Sequence, residues 1–89
     1  MENYFVYILK SQSSDVYYKG FTTCIERRLF EHNNGKSRYS SNKGPWSLVF
    51  LEKFETKKEA LITEKKLKRL NHDNLEKLIT SPRNIICTK

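Results

Sequence analysis

An α+β fold is predicted by three features of the sequence: two short apolar strands in succession near its start, a third strand at mid-chain, and helical segments between and after them. The chain has 89 residues, the size of one domain, and no repeat, low-complexity tract or linker divides it, so residues 1–89 are expected to form a single domain.

The first strand, residues 4–10, sets Tyr4, Val6 and Ile8 against Phe5, Tyr7 and Leu9. Both faces are apolar, which predicts a strand covered on both sides and central in its sheet. Residues 11–15 are polar and turn-like, and residues 16–22 resume the strand pattern, so the simplest join is an antiparallel hairpin. A tight two-residue loop at Gln12-Ser13 sets Tyr7 directly opposite Tyr18; a longer loop or a bulge shifts that register.

Thr23 followed by Glu26 reads as a capping box, so a helix should start there and stop at Asn33-Asn34-Gly35, where Asn and Gly favour a left-handed residue. At about 100° per residue, Ile25 and Leu29 mark its buried face. Arg28 and His32 fall beside them, and Arg27 points away. Residues 35–45 lack periodicity and read as a loop. A third strand covers residues 46–53, and Thr56 with Glu59 opens a second helix running to about residue 70. Asn71 or Asp73 can cap a last helix carrying Leu75, Leu78 and Ile79, ahead of Pro82.

With 17 basic against 10 acidic residues, the net charge of +7 favours a polyanionic partner, nucleic acid first, although such charge also serves solubility or an anionic membrane surface. The apolar run 5–9 is far too short to span a bilayer, and no basic leader precedes it. A soluble, unexported, cytoplasmic protein is expected. Cys24 and Cys87 lack the paired spacing of a zinc site and read as reduced structural thiols.

Glu64 is the first chemical anomaly. Ala60, Leu61, Glu64 and Leu67 share one helical stripe, so a carboxylate sits in the face meant for the sheet. Buried alone it would cost several kcal/mol, on the order expected for an unpaired charge. Its partner is a metal ion, an arginine such as Arg28, or water at an open sheet edge. Tyrosines are the second feature: Tyr4, Tyr7, Tyr17, Tyr18 and Tyr39 suit cross-strand packing, and near an arginine or a metal a phenol also suits proton transfer to or from water. Gly20 marks either a bulge or a close approach by a ligand. Arg28 can fork two hydrogen bonds onto an anionic transition state, with His32 one turn away as a second polar group. Lys36, Arg38 and Lys43 interleaved with Tyr39 look like a surface that tracks a nucleic-acid backbone.

These residues, in this order, resemble the GIY-YIG nuclease superfamily over about residues 4–70. Val6-Tyr7 and Tyr18-Lys19-Gly20 match its two name motifs, followed by Arg28-Leu29, His32-Asn33 and Glu64. The likeness is closest to small, single-domain members similar to excision-repair nucleases: the run from Arg28 to Gly35 echoes their first helix, and Glu59 to Arg69 their second. The resemblance implies a central three-stranded antiparallel sheet flanked by helices. It implies DNA cleavage through one divalent metal, Mg2+ (or Mn2+), held by Glu64. Magnesium fits one carboxylate because it keeps most of its waters. Tyr7 matches the tyrosine that serves as general base, Tyr18 the second that orients water or phosphate, Arg28 the phosphate-stabilising arginine, and His32 a histidine in or beside the site. Lys19, Lys36, Arg38, Tyr39 and Lys43 are expected to contact the nucleic acid. Phe5 and Lys19 depart from the name motifs without removing a catalytic group, and Asn71, Asn74 and Asn84 compete for the asparagine that several members carry late. Family nucleases usually carry a targeting domain, so a protein partner that delivers this one to DNA is expected.

The leading expectation is therefore a divalent-metal-dependent DNA endonuclease that hydrolyses phosphodiester bonds with an activated water. The alternative is a non-catalytic nucleic-acid-binding module that retains the nuclease fold. A protein-interaction domain whose charge serves solubility is the third reading.

Overall fold

The computed structural model describes residues 3–34 and 44–86. Lys36, Arg38, Tyr39, Lys43 and Cys87 lie outside the described residues. The elements run β1 (Tyr4–Ser11), β2 (Tyr17–Thr22), α1 (Ile25–Asn33), β3 (Trp46–Phe54), α2 (Lys57–Leu67) and α3 (His72–Ile79). The strands form one antiparallel sheet in the order β2-β1-β3, with β1 central as its two apolar faces require.

Strand alternation divides the core into two. Val6 and Ile8 point to one face and pack with Phe50, Ala60, Leu67 and Leu75, so α2 and α3 cover that side. Tyr7 and Leu9 point to the other and pack with Trp46, Ile25 and Leu29, so α1 covers it. A register shift against β1 between Ile8 and Leu9 places both Val49 and Phe50 against the α2 side, as a one-residue bulge does.

The hairpin register differs from the one a tight loop gives. Tyr7 pairs with Gly20, and Tyr18 with Leu9. The Ser11 amide bonds the Val16 carbonyl at 2.9 Å, and the Ser11 hydroxyl accepts from the amides of Ser13 and Ser14, closing a loop over residues 12–15. A longer loop thus moved the pairing by two residues, which leaves every side chain on its predicted face. Pairing runs unbroken through Gly20, so that glycine marks no bulge.

Helix starts agree at α2 and α3 and differ at α1. Thr56 caps α2 by accepting from the Glu59 amide, and Asn71 caps α3 by accepting from the Asn74 amide. Before α1 the Thr23 capping box does not form: Cys24 is the N-cap with no side-chain bond, and the Thr22 hydroxyl instead accepts from the Cys24 amide at 3.1 Å. Thr22 is buried and Thr23 exposed, so the inward hydroxyl takes the amide. Asn34 ends α1 at φ −112° and ψ 20°, outside the left-handed region, with its side-chain amide on the Phe30 carbonyl. α2 ends at Leu67, short of residue 70. Among the described residues no helix is long and apolar enough to cross a membrane.

Candidate active site

Four of the proposed site residues meet on the α1 face of the sheet. Tyr7 is 1% exposed, and its hydroxyl lies 3.1 Å from His32 Nε2. The Tyr18 ring stands 6.1 Å from that of Tyr7 and 4.5 Å from that of His32. His32 is the one fully buried residue of α1, so the side chain placed beside the apolar face by helical periodicity is the deepest on the helix. Arg28 is half-buried one turn earlier, while Arg27 projects outward.

Gly20 explains how Tyr7 reaches this position. A methyl group there would lie 2.5 Å from the Tyr7 hydroxyl, so the phenol crosses over the glycine of its strand partner. The space left by the missing side chain is filled by Tyr7 itself, a reading that neither a bulge nor an approaching ligand anticipated.

Burial sets the protonation of the cluster. Desolvation, then the neighbouring Tyr18, pushes the Tyr7 phenol well above its ordinary value, with Arg28 pulling the other way. Burial and the Arg28 charge lower His32 to about 4, against a smaller pull from Glu31. Burial works against the charge of Arg28, but the hydrogen bond from its guanidinium to Glu31 at 2.9 Å and the two tyrosines outweigh it and raise its proton affinity. At neutral pH the site holds a protonated phenol, a neutral imidazole and a cation. In the tautomer that carries its proton on Nδ1, Nε2 accepts from the Tyr7 hydroxyl; in the other tautomer Nε2 donates to it.

Sequence reasoning missed three supports. Glu31 is the partner that holds Arg28, at the i,i+3 spacing visible in the sequence. Asn33 Oδ1 accepts from the Trp46 amide at 2.6 Å and its Nδ2 donates to the Trp46 carbonyl at 3.2 Å, tying the end of α1 to the start of β3. Trp46 in turn stands edge-on to Tyr18 at 6.3 Å and lies 6.4 Å from His32. The last two contacts join distant segments, and no local spacing encodes them.

Glu64 comes from the other layer. α2 packs on the Val6–Ile8 side through Ala60 and Leu67 and runs against β1 and β2. The negative charge of Glu64 acts on the Tyr7 phenol, so its field reaches the cluster. Its ion partner is Lys68, at 3.5 Å, and not Arg28. Leu61, expected on the same buried stripe, is 36% exposed, so the inward face of α2 is narrower than its apolar residues imply. Lys19 pairs with Ile8 on the outer strand and lines a depression of about 280 Å³ with Tyr17, Tyr18 and Lys68.

Of the late asparagines, Asn71 is spent on its cap. Asn84 Oδ1 accepts from the Leu51 amide and its Nδ2 donates to the Val49 carbonyl, which fastens the chain end along β3, the edge opposite β2. Asn84 is a structural clamp.

Could the residues present hold a divalent metal? Among the described residues no three His, Cys, Asp or Glu side chains cluster as a metal site. Glu64 is a single oxygen donor, 18% exposed, already neutralised by a cation, with water able to reach it. That donor set matches magnesium, which takes one or two carboxylates and keeps its waters, and does not match a four-ligand zinc site.

A family model described as the GIY-YIG catalytic domain matches residues 3–77. The chain belongs to the GIY-YIG family. Members of this family are in general endonucleases. The UPF0213 protein SSP2268 of Staphylococcus saprophyticus is 36% identical over 81 residues, covering 90% of this chain and 98% of that protein. UPF0213 protein YazA of Bacillus subtilis is 35% identical over 83 residues, covering 92% of this chain and 83% of YazA. The solution NMR structure of UPF0213 protein BH0048 from Bacillus halodurans superposes with a TM-score of 0.59 at 34% identity, covering 91% of this chain and 86% of that one. The GIY-YIG sheet and its helices are thus shared with a solved UPF0213 structure.

Proposed function

We propose that this GIY-YIG domain is a divalent-metal-dependent DNA endonuclease that hydrolyses phosphodiester bonds by activated-water attack. The observation that carries this reading is the hydrogen bond between a buried protonated phenol, Tyr7, and a neutral imidazole, His32, with Arg28 beside them. Burial alone explains a hydrogen-bond partner for the phenol; the guanidinium of Arg28 beside the pair is what goes beyond a packing role.

In this reading Arg28 binds a non-bridging phosphate oxygen and stabilises the charge that builds in the transition state. Glu31 holds its guanidinium in place. The attacking water gives a proton to the Tyr7 oxygen as the phenol passes its own to His32 Nε2; the new P–O bond forms as the bond to the leaving oxygen breaks, and that oxygen takes a proton from solvent. Tyr18 orients the water or the phosphate. A magnesium or manganese ion at Glu64 would supply Lewis-acid withdrawal of charge from the phosphate. Lys19, and from the segment outside the described residues Lys36, Arg38, Tyr39 and Lys43, contact the backbone of the DNA.

The test is incubation of wild type, Glu64→Ala and Arg28→Ala with labelled branched, nicked, single-stranded and duplex DNA, with and without magnesium or manganese. Metal-dependent cleavage by wild type should fall by about 10²–10³ in each variant, the usual loss for a group that stabilises transition-state charge. Undiminished cleavage by both variants overturns the site. Salt-sensitive binding without cleavage of any substrate makes the domain a non-catalytic nucleic-acid-binding module.

A further inference from the structure

Lys68 stands beside Glu64 as its ion partner. It is the C-cap of α2, one turn beyond Glu64, and its ammonium lies 3.5 Å from Glu64 Oε2. The pair is lopsided, with the lysine side chain 58% exposed and the carboxylate 18%. The carboxylate is therefore the partner that gains most from neutralisation, and the ammonium is the one that can leave into water at small cost.

A second observation says where it can go. Lys68 also lines the depression of about 280 Å³ at the β2 edge, together with Lys19, Tyr17 and Tyr18. Its lining residues carry two ammonium groups and two phenols, of which the Tyr17 hydroxyl donates to the Glu76 carboxylate at 3.3 Å, leaving the two lysines as the charged groups of the lining. Such a surface suits an anion rich in acceptor oxygens. Tyr18 belongs both to this depression and to the ring cluster with His32, so one residue borders both.

We propose that Lys68 guards Glu64 in the metal-free protein, and that a divalent ion displaces its ammonium into the β2-edge depression, where with Lys19 it binds a backbone phosphate next to the one being cut. The inference rests on Glu64 as the carboxylate that holds the metal. Two cations cannot both sit against one carboxylate without repelling each other, so metal binding frees the lysine, and a phosphate that holds the lysine away favours the metal. The coupling is reciprocal: each ligand strengthens the other by the same factor.

The experiment measures manganese binding by water-proton relaxation for wild type, Lys68→Met, Lys68→Arg and Glu64→Gln. Each is titrated alone and with a cleavage-resistant single-stranded phosphorothioate oligothymidylate. Alone, Lys68→Met should bind manganese at least about fivefold more tightly than wild type, the lower end of ordinary coupling between ligands. The oligonucleotide should tighten manganese binding in wild type and in Lys68→Arg and leave Lys68→Met unmoved. Manganese affinity in Lys68→Met equal to or below that of wild type overturns the guarding role. An equal oligonucleotide effect in Lys68→Met overturns the phosphate seat. If Glu64→Gln binds manganese like wild type, the metal assignment itself falls and this inference with it; Glu64-dependent binding indifferent to Lys68 overturns the inference alone.

Discussion

Tyr7 is held by two residues that work in opposite ways: Gly20 by leaving room for it and His32 by hydrogen-bonding its hydroxyl. Replacing Gly20 with alanine puts a methyl group 2.5 Å from the phenol oxygen and 2.6 Å from the carbon that bears it, so the ring must shift. Its surroundings are closed, and Gly20→Ala should cost about 1–3 kcal/mol of stability, the usual penalty of overpacking. Urea unfolding measures it; a neutral substitution would mean that Tyr7 does not lie over Gly20. His32 adds a pH dependence of defined sign. Its proton affinity is lowered from 6.5 to about 4, by burial first and by Arg28 second. The unfolded chain regains the ordinary value and binds the extra proton first as the pH falls. The stabilisation is therefore fully present above about pH 6.5 and is lost as the pH falls toward 4. One such proton limits the slope to about 1.4 kcal/mol per pH unit. Comparing urea midpoints of wild type and His32→Gln from pH 7 to 4 isolates it: wild type should lose more stability on acidification, and parallel curves would contradict the assignment.

At the scale of elements, α1 matters because its successive turns aim Arg28 and His32 at the sheet. Its start is set by Thr22, whose buried hydroxyl accepts from the Cys24 amide and donates to the Cys24 carbonyl. Thr22→Ala should therefore cost about 1 kcal/mol, as loss of a helix cap does, and Thr23→Ala should stay within about 0.5 kcal/mol. Thermal melts of the two variants decide it, and the reverse order would restore the capping box at Thr23. The same contrast shows what was legible in the sequence. Helical periodicity is local, so it picked Arg28 over Arg27 and placed His32 inward before any three-dimensional information. The caps are also local: Thr56 forms as read, and of the two candidates Asn71 and Asp73 it is Asn71 that caps α3. The Tyr7 pairing was not legible, because the loop length depends on which way the Ser11 hydroxyl turns. Lys68 lies four residues after Glu64, but among so many lysines that spacing did not stand out as the answer to the misplaced carboxylate. The Asn33 clamp on Trp46 joins a helix end to a distant strand and had no signal at all.

For the whole molecule, the sheet has two edges that are treated differently. Along β3 the chain end is fastened by Asn84, and the Ile85 amide bonds the Leu51 carbonyl at 2.9 Å, so that edge is covered. β2 has no strand on its outer side among the described residues, and it carries Tyr18, Lys19 and the depression shared with Lys68. α2, which carries Glu64, and the Tyr7 cluster in the other layer both adjoin this strand, and the proposed nuclease would meet a DNA backbone there. A net charge of +7 supplies the general attraction. If the backbone runs along this edge, duplex affinity should fall with salt at a slope in log K of about −0.9 for each phosphate neutralised. Lys19→Ala should then lower affinity for all sequences alike and flatten the slope by about one contact. Filter binding or fluorescence anisotropy between 50 and 200 mM salt, roughly the range over which such contacts are felt, makes the comparison in a single series. An affinity that does not change with salt would point to a protein-interaction domain instead. A normal slope that Lys19→Ala leaves intact would move the backbone off the β2 edge and place the charge-bearing contacts elsewhere on the surface.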